Sequence, residues 1–180
     1  MRFAGNVDLS LLDNFGLDGP GGSIIKSIQR GEGTLGGTTA NITLSPVNLG
    51  IAIPRVSYYG AFGGPNNDTV SATLTTITNL RLVRANSGEG APVYNWEVIE
   101  FNNVKSLQTG VVTLTSNVQN VAISSVDVNK TLVFPSFHAN SGMTPSYTMA
   151  YILNSSTNIK FTSYGHGVNF PVCYYVIEFN

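Results

Sequence analysis

Few groups of residues in the chain have the types and spacing that chemistry requires. Residues 31–36 match the Gly-x-Gly-x-x-Gly pattern of dinucleotide-binding loops. That motif works only where a strand leads into a helix whose N-terminus faces the pyrophosphate. The residues that follow, Thr38, Thr39, Ile42 and Thr43, favour a strand instead. The pattern therefore predicts a loop and no bound dinucleotide.

Candidate metal ligands and nucleophiles are equally sparse. His138, His166 and Cys173 are the only imidazole and thiol groups in the sequence, whereas a structural zinc site takes four such ligands. Residues 66–68, Asn-Asn-Asp, could offer oxygens to calcium, but a single carboxylate makes a poor site. No Gly-x-Ser-x-Gly nucleophile motif occurs. We therefore expect no catalytic residue, no metal and no cofactor.

The composition is typical of a neutral β-protein. Of the 180 residues, 42% are hydrophobic and 11% are charged, and the formal net charge is −1, whereas soluble domains usually carry about 25% charged residues. No basic cluster favours nucleic acid and no long apolar run predicts a membrane span. One cysteine and an N-terminus without a signal-peptide pattern suggest synthesis in a reducing cytoplasm.

The sequence repeats itself at a spacing near 79 residues. Four short blocks of the first half recur in the same order in the second half: 27–31 with 106–110, 51–54 with 132–135, 79–82 with 158–161, and 98–102 with 176–180. Between them, segments that alternate apolar and polar residues are separated by turns rich in Gly and Asn, as in β-sandwiches. We predict an all-β chain of two tandem, duplicated antiparallel β-sandwich or barrel-like domains, repeat 1 (residues 24–102) and repeat 2 (residues 103–180).

Residues 1–23 match neither repeat and form a predicted N-terminal arm. Its apolar residues are Leu9, Leu11, Leu12 and Phe15, and the Gly-rich residues 16–22 follow as a hinge. The arm is either a frayed end or extra strand, or a docking segment that becomes ordered on a partner. In the second case these four side chains would contact another chain or a larger particle.

Two acidic and two basic residues occupy matching places in the repeats. Glu100 and Glu178 lie near the end of each closing strand, and Arg81 and Lys160 lie on an earlier strand. We expect Arg81 with Glu100, and Lys160 with Glu178, to form one structural ion pair in each repeat. Both closing strands have large residues on both faces, so each should be a central strand, or a strand covered by the other repeat or by a neighbouring chain.

Tyrosines in or beside loops allow a binding function. Tyr58, Tyr59, Tyr147, Tyr151 and Tyr164 could stack on sugar rings, as aromatic residues of carbohydrate-binding sandwiches do. Tyrosine is also a good strand residue. Both interpretations remain open.

The layout of each unit resembles a repeat found in virion structural proteins of tailed bacteriophages. The resemblance extends from residue 24 to residue 180 and is carried by residues 27–31, 79–82 and 96–101 in repeat 1, and by 106–110 and 176–179 in repeat 2. It implies a non-enzymatic head decoration, head fibre or tail-associated protein that is made in the host cytoplasm and resides in the virion. Its partners would be other virion proteins and further copies of itself, with a trimer favoured.

The units are also similar to H-type lectins, which are compact sandwiches that bind sugars. This similarity implies the alternative function of a carbohydrate-binding module for host-surface adhesion, although no residue of the lectins' sugar site carries over. Neither resemblance implies nucleic-acid or membrane binding.

Overall fold

The structure is a computed structural model that describes residues 23–59, 69–85, 90–138, 148–164 and 169–180, without the side chains of Thr148 and Tyr164. These ranges contain strands and one short 3-10 helix, Val128–Lys130. The strands are β1 (Ile25–Thr34), β2 (Thr39–Thr43), β3 (Ala52–Tyr59), β4 (Val70–Thr76), β5 (Asn79–Arg84), β6 (Val93–Phe101), β7 (Val104–Leu114), β8 (Val118–Ala122), β9 (Thr131–Phe137), β10 (Thr148–Ser155), β11 (Asn158–Tyr164) and β12 (Phe170–Phe179).

The described strands form four three-stranded antiparallel sheets, two in each repeat. Repeat 1 has the strand orders β1-β6-β3 and β2-β5-β4, and repeat 2 has the orders β7-β12-β9 and β8-β11-β10. The two halves therefore share one topology, strand for strand. This confirms the predicted all-β fold with tandem, duplicated antiparallel units.

Side chains that point alternately to the two faces of each strand fill a separate core in each repeat. Leu80 and Leu82 of β5 point inward and are fully buried, as are Ile159 and Phe161 of β11. Because successive side chains of a strand point to opposite faces, the residues between them, such as Arg81, face outward. Each repeat is thus a two-sheet sandwich around its own apolar cluster.

One part of the sequence alignment between the repeats is wrong. Matching residues 51–54 with 132–135 paired Pro54 with Pro135. In the sheets, Pro54 lies opposite Val98, and it is Val133 that lies opposite the equivalent Val176. Both prolines lie on edge strands, where a missing N–H breaks no ladder hydrogen bond. Strand pairing therefore does not fix the positions of the two prolines, and structurally equivalent residues of the two repeats stay about 79 positions apart throughout.

The closing strands β6 and β12 are covered on both faces, as predicted. Ile99 and Phe101, on the outer face of β6, lie in one buried cluster with Tyr175 and Ile177 of β12. The outer faces of the sheets β1-β6-β3 and β7-β12-β9 therefore pack against each other. This contact explains the large residues on both sides of the two strands.

Candidate functional site

The most buried acidic group of repeat 1 is held by three hydrogen bonds. Glu100 is 6% exposed. Its Oε2 accepts a 2.6 Å hydrogen bond from Ser27 Oγ, and its Oε1 accepts from the backbone N of Asn48 at 2.9 Å and from Lys26 Nζ at 3.3 Å. Burial by itself raises the pKa of Glu100, but the bonds from Ser27, Asn48 and Lys26 together outweigh it and lower the pKa.

Repeat 2 contains the same arrangement. Glu178 is 2% exposed and accepts hydrogen bonds from Lys105 Nζ at 2.8 Å, from the backbone N of Asp127 at 2.8 Å and from Ser106 Oγ at 3.1 Å. The bond from Lys105 and the bond from Asp127 N lower the pKa of Glu178. Both carboxylates therefore join the first strand of a repeat to the loop that precedes its third strand.

The predicted ion pairs are wrong in their basic partners. Glu100 pairs with Lys26 and Glu178 pairs with Lys105, whereas Arg81 and Lys160 lie on β5 and β11, in the other sheet of each sandwich. The cations that bind come from β1 and β7, which hydrogen-bond directly to the closing strands. Each lysine immediately precedes the repeated block that begins with serine, but this position does not reveal which strand pairs with the closing strand.

The repeated block that begins at Ser27 has further structural roles. Gln29 exchanges two hydrogen bonds with the backbone of Ser45, at 2.8 and 2.9 Å. Gln108 exchanges two with the backbone of Ser124, at 2.7 and 3.0 Å. These bonds hold the chain that follows the second strand of each repeat against the first strand.

The glycine that ends this block lies beneath a large ring. A Cβ built on Gly31 would lie 2.7 Å from atoms of the Trp96 indole, and a Cβ on Gly110 would collide with the Tyr174 phenol. Each ring belongs to the closing strand, directly opposite its glycine. A side chain at either glycine would have to displace the ring opposite it. Strand β1 extends to Thr34, so the loop predicted for residues 31–36 is wrong for residues 31–34.

Repeat 2 caps the outer edge of strand β4. Ser136 Oγ accepts a hydrogen bond from the backbone N of Ala72 at 3.1 Å, and Tyr175 Oη accepts one from the backbone N of Leu74 at 3.0 Å. Burial raises the pKa of Tyr175 to about 12, so its hydroxyl stays protonated at neutral pH. This contact fixes repeat 1 to repeat 2 through hydrogen bonds as well as apolar packing.

His138 belongs to the same contact. Its Nδ1 shares a 2.7 Å hydrogen bond with Ser71 Oγ of β4. Burial and the nearby charge of Arg81 lower the pKa of His138, which keeps the imidazole neutral at pH 7. The structure thus gives this histidine an inter-repeat role that the sequence did not indicate.

Arg84 is a second residue whose role the sequence did not reveal. Its side chain is almost completely buried and donates to the carbonyls of Gly37 and Gly90 at 2.9 Å and to that of Gly36 at 3.4 Å. A guanidinium presents five donors in a rigid fork. Arg84 therefore ties two glycine-containing loops to β5 and belongs to the fold.

Of the candidate tyrosines whose side chains the structure describes, Tyr58 and Tyr151 line one cavity and Tyr59 lies apart from them. Tyr58 packs against the core of repeat 1, and burial raises its pKa. Tyr59, its neighbour, points to the opposite face and is 61% exposed. Tyr151 is on β10, where it lines with Tyr58 a cavity of about 250 Å³ between the repeats. Tyr147 and the side chain of Tyr164 lie outside the described residues.

A groove with charged and amide side chains in its lining lies on the outer face of repeat 1. It has a volume of about 530 Å³ and is lined by residues that include Arg30, Arg55, Ser57, Asn95 and Glu97. Glu97 accepts from Arg30 Nε at 2.9 Å and from Arg55 at 3.4 Å. The exposed tyrosine of β3 shares this face, because side chains two residues apart on a strand point the same way. Tyr59 lies on this face without being one of the residues that line the groove.

Within the described ranges, no three His, Cys, Asp or Glu side chains are grouped to hold a metal ion. No helix in these ranges is long and apolar enough to span a membrane. The candidate docking residues Leu9, Leu11, Leu12 and Phe15, together with His166, lie outside the described residues. Comparisons with protein-family models, with curated proteins and with solved structures find no match to the chain.

Proposed function

We propose that the chain is a non-enzymatic structural protein of a bacteriophage virion, incorporated as a head decoration, head fibre or tail-associated component. The observation that carries the non-enzymatic part of the proposal is the structural role of Glu100 and Glu178, and the virion part rests on the resemblance described above. Each accepts three hydrogen bonds inside its own repeat, and the lowered pKa of each keeps it ionised. Groups held in this way serve the fold, whereas a general acid or base needs a pKa near the working pH.

The residues that carry the resemblance to virion proteins support the same conclusion. Residues 27–31 and 106–110 pack and hydrogen-bond against the closing strands, so the shared motifs determine a sheet geometry. Such a motif is expected to recur among proteins that share a scaffold. We further propose that the protein acts as a homo-oligomer bound to other virion proteins.

Density-gradient purification of particles tests this proposal. The protein should co-migrate with intact particles in a fixed molar ratio to the major capsid or tail protein, measured by quantitative mass spectrometry. The ratio should persist through a wash in 0.5 M salt, because a surface with so few charges does not rely on ion pairs for attachment. Recovery only in the soluble fraction would contradict the proposal.

The alternative function is carbohydrate binding at a host surface, and one observation favours it. The exposed ring of Tyr59 lies on the same face of repeat 1 as the groove that Arg30, Arg55 and Glu97 line, and aromatic rings on a face with polar groups suit sugar recognition. A glycan array would separate the two functions. Binding with a Kd of about 1 mM or tighter, lost in Tyr59→Ala and retained in the control Tyr151→Ala, would replace the structural proposal.

A further inference from the structure

Repeat 1 uses the edge of strand β4 to bind the outer face of repeat 2. Hydrogen bonds join consecutive residues of β4 to side chains on that face: Ser71 Oγ with His138 Nδ1, Ala72 N with Ser136 Oγ, Thr73 Oγ1 with Cys173 Sγ, and Leu74 N with Tyr175 Oη. Residues 71–74 are therefore buried or half-buried, although β4 is an edge strand of its sheet. The contact satisfies backbone groups that an edge strand otherwise exposes.

The corresponding edge of repeat 2, on strand β10, is open. Residues 150–153 of β10 correspond to residues 71–74 of β4, because both stretches pair in the same register with the central strand of their sheet. Tyr151 is 46% exposed and Ile152 is 56% exposed. The eight residues of β10 include neither a charge nor a proline, which are the usual protections of an exposed edge. β10 therefore has the properties of an edge that another chain covers.

The face that binds β4 also has a counterpart, on the outer face of repeat 1. The sheets β1-β6-β3 and β7-β12-β9 share one register, so each residue of repeat 2 that binds β4 has an equivalent in repeat 1. These equivalents are Ser57, Tyr59, Asn95 and Glu97. Ser57, Tyr59 and Asn95 are exposed, whereas their counterparts in repeat 2 are buried or half-buried. The chain thus contains both halves of the contact twice.

The groove on the outer face of repeat 1 has room for such an edge. Its volume is about 530 Å³, and residues 30–32 and 95–97 belong to its lining. In repeat 2 the corresponding residues, 109–111 and 173–175, line a cavity of about 150 Å³ together with Thr73 and Leu74 of β4. β4 therefore fills a space in repeat 2 that stays open in repeat 1. Among the residues that the structure describes, none from β10 lines the groove of its own chain.

We propose that β10 of one copy binds in this groove of a second copy, and so repeats between chains the contact that β4 makes within one chain. The backbone N–H of Tyr151 would donate to Ser57 Oγ, as its equivalent donates to a serine in the intrachain contact. The N–H of Leu153 would donate to the carboxylate of Glu97, which takes the place of the hydroxyl of Tyr175. The charged residues that line the groove are two arginines and two glutamates, so no net charge opposes an uncharged strand.

The proposed contact is head-to-tail, because the edge that binds and the groove that receives it are different surfaces. Each copy has one of each. Such a contact closes a ring where the rotation between copies allows it, and otherwise forms an open chain of copies. The inference rests on the self-association proposed above and assigns a surface to it, and it does not depend on the particle to which the protein belongs.

Disulfide trapping between two full-length variants tests the contact. Within one chain, Thr73 Oγ1 lies 3.3 Å from Cys173 Sγ, so a disulfide could join these positions with a small shift. Their counterparts are Ile152 and Asn95. Mild oxidation of a mixture of Ile152→Cys chains and Asn95→Cys chains should therefore produce a covalent heterodimer. Val118→Cys, on β8, is the matched control because Val118 is 50% exposed; with Asn95→Cys it should give roughly tenfold less product, since a disulfide requires Cα atoms within about 7 Å of each other.

Self-association without a cross-link provides a second measurement. Ile152→Asp places a carboxylate in the proposed contact and should weaken association by about tenfold or more, as measured by sedimentation velocity. Val118→Asp adds the same charge at a similarly exposed position outside the contact and should leave association within about twofold of the wild type. Near-ultraviolet circular dichroism of both variants shows whether their folds are intact.

Three results would overturn the inference. The first is a heterodimer yield no higher than that of the Val118→Cys control, and the second is an equal effect of the two aspartate substitutions on association. The third is a disulfide that forms only when Ile152→Cys and Asn95→Cys are in the same chain, which would show that β10 binds its own repeat 1. Each of these results leaves co-migration with particles unaffected. Loss of co-migration with an intact intermolecular cross-link would instead refute only the virion role.

Discussion

Replacing Glu100 with glutamine should destabilise the protein, because the amide keeps the shape of the side chain but removes its charge and one acceptor oxygen. Ser27 Oγ and the backbone N of Asn48 both donate to the buried carboxylate. Lys26 donates as well, although its side chain is 49% exposed. In the variant, the serine hydroxyl can reverse its direction and the two other bonds become bonds to a neutral oxygen or are lost.

The magnitude follows from these contacts. A hydrogen bond to a charged group contributes about 1 kcal/mol more than one to a neutral group, so the two buried bonds account for about 2 kcal/mol. The exposed lysine pair adds about 0–1 kcal/mol. We therefore expect Glu100→Gln to lower the free energy of unfolding by about 2–3 kcal/mol, which corresponds to a fall in Tm of roughly 4–12 °C.

Glu97→Gln is the matched control on the same strand. The substitution is identical, but Glu97 lies on the outer face and pairs with Arg30 and Arg55, whose side chains are more than half exposed. Its loss should change the free energy of unfolding by only about 0–1 kcal/mol. Urea titration of both variants, with fluorescence of Trp96 as the signal, measures the difference. Equal destabilisation by the two substitutions would refute the role assigned to Glu100.

The same variant has a defined pH dependence. Because the folded-state pKa of Glu100 is lowered, its stabilising effect is complete above the pKa of an unfolded glutamate, about 4.3. The effect is lost as the pH falls through the folded-state pKa. The gap in unfolding free energy between wild type and Glu100→Gln should therefore be full at pH 7 and shrink in acid. A gap that stays constant down to pH 3 would contradict the hydrogen-bonding account.

Three further outcomes are expected. Gly31→Ala should lower the free energy of unfolding by about 1–3 kcal/mol, because the new Cβ would lie 2.7 Å from the Trp96 indole. Gly36→Ala, whose Cβ would have nothing within 4 Å, should change that free energy by no more than about 0.5 kcal/mol in the same urea titration. Tyr175→Phe removes the cap from a β4 N–H and should lower the free energy by about 1–3 kcal/mol, while the exposed Tyr59→Phe should be near neutral. Cys173 is buried, so a disulfide reagent should modify it at least about tenfold more slowly in the folded protein than in urea; equal rates would contradict its burial.

The duplicated fold could be predicted because the features that define it are local. Alternating residues such as Leu80 and Leu82 in β5, and Ile159 and Phe161 in β11, mark equivalent strands directly in the sequence. Turn residues between them also repeat. These signals depend only on near neighbours along the chain, so two copies of them reveal two copies of the fold.

The partners of the buried carboxylates could not be predicted because they depend on strand order. Glu100 is 74 residues from Lys26, and the two meet only because the first and last strands of repeat 1 are paired. Arg81 was an equally good candidate until its strand was known to lie in the other sheet. Cross-strand neighbours follow from the topology of the sheets, which the repeated blocks alone do not specify.

The contact between the repeats was predicted only in its apolar part. Large residues on both faces of β6 and β12 indicated a covered surface, and Ile99 and Ile177 form it. The caps from Ser136 and Tyr175 onto β4 have no counterpart in sequence patterns, since serine and tyrosine are common in strands. Arg84 is a related case, because the equivalent position in repeat 2 is Ser163 and no repeated charge indicated its burial.

Immunogold labelling of purified particles, with an antibody raised against the whole chain, tests the proposed function most directly. We predict gold particles at one fixed location, on the head or on the tail, at a density well above that of particles lacking the gene. Particles that carry no label, while the soluble fraction of the same lysate contains the protein, would contradict the proposal that the chain is a structural component of the virion.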